Sequence, residues 1–113
     1  MKRRALTRFA WMSLVAMGSS AAIAGYNTNM TGTPTTVSTY ANGLVLFILS
    51  NQPSTHPQCN PAAFAVDPTL DAHILNRMYA RLLAAEASGQ PLNIGFDNAG
   101  DCVGGFIHVH EIG

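Results

Sequence analysis

Beyond its first eight residues this sequence has little positive charge. Past residue 8 the only cations are Arg77 and Arg81. Against them stand Asp67, Asp71, Glu86, Asp97, Asp101 and Glu111, so the chain from Gly25 onward carries a net charge of −4. Binding a phosphate backbone takes clustered Lys and Arg, so nucleic acid is excluded as a partner. An anionic membrane surface is excluded on the same ground. Long apolar runs are also missing. The segment Phe9 to Met17 (FAWMSLVAM) is the leading candidate, and a membrane span needs roughly 20 apolar residues. Cysteine occurs twice, at Cys59 and Cys102, with no CxxC spacing. No GxSxG motif is present, and Ser38, Ser50, Ser54 and Ser88 sit in no catalytic context. The chain reads as non-catalytic and needs no cofactor. It contains no internal repeat and no low-complexity tract.

The residues that are present divide the chain in two. Lys2, Arg3, Arg4 and Arg8 form a basic start, followed by the short apolar run and then GSSAAIA. Ala22-Ile23-Ala24 is an A-x-A cleavage box, and the pattern predicts a bacterial secretory signal peptide over residues 1–24, removed after Ala24. Residues 25–113 are then one small domain, secreted or periplasmic, with no membrane insertion after cleavage. At this size the core is thin and extra stabilisation helps. An even cysteine count in an exported chain predicts a Cys59–Cys102 disulfide.

GYNTNMTG, Gly25 to Gly32, is polar and turn-rich and reads as a loose lead-in. It contains a glycosylation sequon at Asn29, relevant only in a eukaryotic host. TTVSTY (35–40) and LVLFILS (44–50) read as two strands of a hairpin, joined through Asn42-Gly43 in a type I′ turn. The second strand is apolar on both faces and belongs in the centre of a sheet. Three prolines make 51–61 a loop, and AAFAV (62–66) is a third strand. A helix follows from about Pro68 to Ser88, with Asp67 as N-cap, Pro68 in the first position and Gly89 ending it. Leu70, Ile74, Leu75, Met78, Leu82 and Ala85 mark its apolar side. LNIGF (92–96) and FIHVHEI (106–112) are strands four and five, with the acidic turn DNAGD between them.

Residues two apart in a strand share a face, so His108 and His110 point together while Ile107 and Val109 face the core. Three readings stay open. The histidines are outward polar positions on a half-buried strand, two ligands of a metal ion in one chain whose third ligand would be His56, His73 or a carboxylate that the sequence does not place nearby, or part of a site shared between subunits. Glu111 is expected on the opposite side. Asp97, Asn98 and Asp101 match a calcium loop only in composition. His73, Arg77 and Arg81, spaced by four, form a basic stripe along the helix. It is either a solvated face or a partner-contacting one. Tyr26, Tyr40 and Phe106 are the aromatic candidates for a binding surface.

The segment LLAAEASGQPLNIGF, then GDC and a closing strand ending in EIG, resembles small exported bacterial proteins related to the B subunit of subtilase-type cytotoxin. What the resemblance implies is an α+β architecture: a five-stranded OB-fold Greek-key barrel with one helix between strands three and four, which the strand order read above also fits. It further implies a non-catalytic, disulfide-bonded and pentameric glycan-binding protein, with helices lining a central pore. The residues depart from that pattern at the glycan pocket. The strand-four tyrosine of the toxin subunits corresponds to Phe96 here, and the lead-in offers no counterpart of their serine. The functional expectation is an exported binding module for a glycan or protein ligand, with homo-oligomerisation possible. The alternatives are a periplasmic metal-binding protein using His108 and His110, and an inhibitor of a secreted hydrolase that inserts the proline-rich loop.

Overall fold

The computed structural model describes residues 26–113, so the signal-peptide reading of residues 1–24 lies outside the described residues. In chain order the elements are β1 (Thr28–Gly32), β2 (Pro34–Thr39), β3 (Val45–Leu49), β4 (Asn60–Val66), α1 (Ala72–Ser88), β5 (Leu92–Phe96), β6 (Cys102–Val103) and β7 (Phe106–Ile112). The strands form one mixed sheet in the order β1-β5-β7-β4-β3-β2, with β6 paired to β7 alone. The β4–β7 pairing is parallel and the rest are antiparallel. The sheet is not closed by any ladder between its two end strands.

The apolar run of β3 sits between β2 and β4, where its composition predicts it. Val45, Phe47 and Leu49 are buried, while Leu46 and Ile48 on the other face are partly covered. Phe64 on β4 is the centre of the core, with its ring 5.4 Å from Phe47 and 5.2 Å from Phe96. Such pairs add to the ~1.5–3 kcal/mol that burying each large apolar side chain contributes. The helix closes one side of this core through Leu82 and Ala85. Its N-terminal half is more open, and Ile74 is 40% exposed.

Four local readings of the sequence are corrected. The lead-in is a strand: Thr28–Gly32 pairs with β5, directing Met30 toward the core and leaving Asn29 and Thr31 outward. A lone methionine gives little periodic signal, and the partner strand lies more than sixty residues away. The 40–44 turn is not type I′, because Gly43 alone has positive φ (90°). The Gly43 N–H donates to Tyr40 O, and the Tyr40 N–H to Leu44 O, giving a longer loop with its left-handed residue last. The two-residue turn with both φ values positive is Gly104-Gly105 (59° and 86°), joining β6 to β7. The helix starts at Ala72 with Asp71 at its N-cap. Asp67 instead accepts from the Thr69 N–H and hydroxyl, both at 2.8 Å. That local turn competes with helix initiation at Pro68.

The fourth correction concerns Glu111. The β5–β7 register runs Phe96 opposite Val109 and Gly95 opposite Glu111, so β7 carries one extra residue, His110. A β-bulge of this kind resets the in–out alternation. Val109 and Ile112 both reach the core, while His110 and Glu111 stay half-buried on the outer side together.

Candidate functional site

The bulge, the disulfide and the Gly104-Gly105 turn together build one polar cluster on β7. Cys59 and Cys102 are paired, with Cα atoms 5.5 Å apart, tying the 51–59 loop, shorter than the expected 51–61 because β4 begins at Asn60, to β6. Asp101 precedes Cys102 and is the one non-glycine residue with positive φ (79°) among the described residues. A side chain held in that region is strained unless its surroundings over-determine it. Here they do. The Asp101 carbonyl accepts from the His108 N–H at 3.1 Å. Its carboxylate reaches His108 Nδ1 through Oδ1 at 3.0 Å and His110 Nε2 through Oδ2 at 2.6 Å.

The two imidazoles lie side by side, ring centroids 4.0 Å apart. Tyr26 stacks on His110 at 6.0 Å. Its hydroxyl donates to Glu111 Oε1 at 2.7 Å, and the Asn29 amide donates to the same oxygen at 2.9 Å. Gly95 makes room for this layer. A Cβ there would lie 2.6 Å from a Tyr26 ring carbon and 2.9 Å from Glu111 Cβ.

Charge follows this geometry. Partial burial pushes the Asp101 carboxyl up, but the bonds from His108 and His110, with their charge, outweigh it and leave it below the ordinary range. Glu111 is also lowered, first by the Tyr26 hydroxyl and then by Asn29. The Tyr26 phenol is raised, chiefly because it donates to Glu111. Both carboxylates are therefore held as anions, with imidazoles and a phenol arranged around them.

Beside this cluster a concavity of about 390 Å³ opens between α1 and β7. Leu70, Ile74 and Met78 supply its apolar lining, and Arg77, Arg81, His108, His110 and Glu111 its polar groups. Among the described residues neither arginine pairs with a carboxylate.

The remaining candidates separate from this site. His73 is exposed near Asp71, at 3.9 Å, and lies away from the concavity that Arg77 and Arg81 line. Tyr40 is 51% exposed beside the β2–β3 turn. Phe106 is partly buried at the start of β7. Asp97 accepts from the Ala99 N–H at 3.1 Å in a plain local turn, and Asp101 turns away from it toward β7. The central carboxylate, Asp101, is invisible as such in the sequence. The signal available for it was its place one residue before a bridged cysteine, with a Gly-Gly turn leading back into the histidine strand. The chain matches no protein-family model, no curated protein and no solved structure.

Proposed function

We propose that this chain is an exported binding module whose α1–β7 groove holds a carboxylate-bearing ligand. The observation that carries the reading is the placement of cations. Residues 26–113, with six acidic side chains, put both of their arginines on one groove, beside an apolar floor, and leave them without an ion pair. A planar guanidinium fits a carboxylate through two hydrogen bonds. The volume suits a single small group, such as a terminal acidic sugar of a glycan. An acidic side chain on a protein partner is the competing ligand.

Export is supported by the Cys59–Cys102 bridge, of a kind that persists in oxidising compartments. No described helix is long and apolar enough to cross a membrane. An OB-fold barrel is supported by the strand order. β1 and β2 stand at opposite ends of the sheet path, yet only Thr33 separates them in the chain. One bent strand running through Thr33 would carry the sheet round on itself, and the helix lies between β4 and β5 as that architecture asks. The resemblance to toxin B subunits points the same way and makes a homo-oligomer part of the proposal.

The test is binding of acidic and neutral glycans by the oxidised chain in the presence of a chelator. Acidic glycans should bind, and Arg77→Gln with Arg81→Gln should weaken that binding at least tenfold without lowering the melting temperature. Equal binding of neutral and acidic glycans, or none at millimolar concentration, removes the reading. Binding of acidic peptides alone would transfer it to a protein partner.

A further inference from the structure

We propose that Asp101, His108 and His110 bind one first-row divalent transition ion, with zinc as the reference ion. Each side chain offers one ligand atom, and the three atoms lie within 4.8 Å of one another. Ligands placed about 2.0–2.1 Å from a tetrahedral ion lie roughly 3.3–3.4 Å apart. The 3.0 Å contact to His108 and the 2.6 Å contact to His110 run to different oxygens of Asp101, so the carboxylate turns to give the ion one oxygen and the ligand atoms, now within 4.8 Å of one another, adjust toward that spacing. Two imidazoles and a carboxylate suit zinc and its first-row neighbours better than calcium or magnesium, which favour all-oxygen shells.

Three further observations set this cluster apart from a surface ion pair. The carboxylate is aimed by a backbone conformation that non-glycine residues rarely adopt, anchored by the neighbouring disulfide and the His108 N–H. Tyr26, itself fixed by Glu111, lies nearly parallel to the His110 ring at 6.0 Å. Such outer contacts orient metal-binding imidazoles. The side chains remain reachable from solvent, at 15% exposure for His108, 24% for His110 and 35% for Asp101. Three protein ligands leave a fourth position for water.

His108 and His110 share the groove wall with the arginines, but neither arginine is one of the three ligands, so the metal site is tested separately. Tag-free oxidised protein, stripped with chelator, is titrated with zinc chloride by calorimetry, and with cobalt(II) followed by its visible absorption. The expected result is one ion per chain, a dissociation constant in the micromolar range or below, and the intense d–d bands of a tetrahedral cobalt site. Asp101→Asn and His110→Gln should each weaken zinc at least 100-fold, while Arg77→Gln with Arg81→Gln, which removes nearby positive charge but no ligand, should not weaken it. The conservative variants keep hydrogen-bonding groups in place, and circular dichroism checks that they fold. No zinc binding by the wild-type chain overturns the proposal. Undiminished binding by both variants does the same, as does a preference for calcium.

Discussion

His56 and the His108–His110 pair lie on either side of the Cys59–Cys102 bridge, and their bonding partners differ in kind. His56 is surrounded by backbone. Its Nδ1 accepts from the N–H groups of Cys59 at 3.0 Å and Gln58 at 3.3 Å, and its Nε2 faces the Asp97 carbonyl at 2.9 Å. A carbonyl can only accept and an amide N–H can only donate, so the tautomer is fixed with hydrogen on Nε2. That ring has no nitrogen left for a ligand. His108 and His110 are bonded instead to one side-chain carboxylate that can rotate or share an ion. The same residue type is a strut where its partners are main chain and an available ligand where its partner is a carboxylate.

The change that breaks both regions at once is loss of the bridge. Cys59 is three residues after His56 and Cys102 is one after Asp101, so the bond holds each histidine site in place. Its ends are separated by 43 residues. In the entropic model a loop of that length is worth about 4 kcal/mol. Cys59→Ala with Cys102→Ala should lose roughly that amount in urea unfolding, and both zinc affinity and protection of the 51–59 amides from hydrogen exchange should fall together. Loss of one without the other would show that the two regions are anchored separately.

Gly95→Ala acts on the β7 side alone. The new methyl meets the Tyr26 ring and Glu111, with β5 and β7 packed behind them. Overpacking of this kind costs about 1–3 kcal/mol. Displacing Tyr26 should also free the His110 ring and weaken zinc binding, leaving the exchange protection of the 51–59 loop unchanged. An unaltered melting temperature would mean that the Tyr26 layer is not held as tightly as its contacts imply.

His56→Ala should do the reverse. It removes the acceptor of the buried Cys59's N–H and the donor to the Asp97 carbonyl, at about 1–2 kcal/mol. Zinc affinity should stay within about twofold, equivalent to ~0.4 kcal/mol. His108→Ala, in chelator, should cost less than about 1 kcal/mol, because its side-chain partner is partly solvated. If His108→Ala proved the more damaging in chelator, the contrast between strut and ligand would fail.

The parts legible in the sequence were those carried by local pattern. β3 announces itself as an unbroken apolar run, α1 by its spacing and Gly89, and the shared face of His108 and His110 by the two-residue period of a strand. The parts that were not legible depend on chain segments meeting at a distance. Tyr26 reaches Glu111 across 85 residues, and β1 finds β5 only once the sheet exists. The side on which Glu111 emerges depends on a one-residue bulge, which no alternation rule foresees. Turn chemistry misled in a different way. Asn42-Gly43 carries the stronger hairpin signature, yet the tight two-residue turn formed at Gly104-Gly105, between Val103 and Phe106, which pair directly across it. Only that turn brings Asp101 back over the histidines.

The smallest effect lies at the entrance to α1, where the bonds from Thr69 act on Asp67 more strongly than the charges of His108 and Asp101. Asp67 accepts two bonds from Thr69, first from its N–H and then from its hydroxyl, and these hold its carboxyl below the ordinary range. A carboxyl whose folded value is depressed adds stability that is fully present above its unfolded value, near 3.9. That stability is lost as pH falls through the lower, folded value. Asp67→Asn keeps an oxygen for the Thr69 N–H and removes the titration. Wild type and variant should therefore differ most above about pH 5 and converge as pH approaches 2, by at most about 1 kcal/mol. Urea unfolding at several pH values in chelator measures this directly. A difference that grew as pH fell would mean that the carboxylate is the less favoured form in the fold, and that the Thr69 contacts do not set its charge.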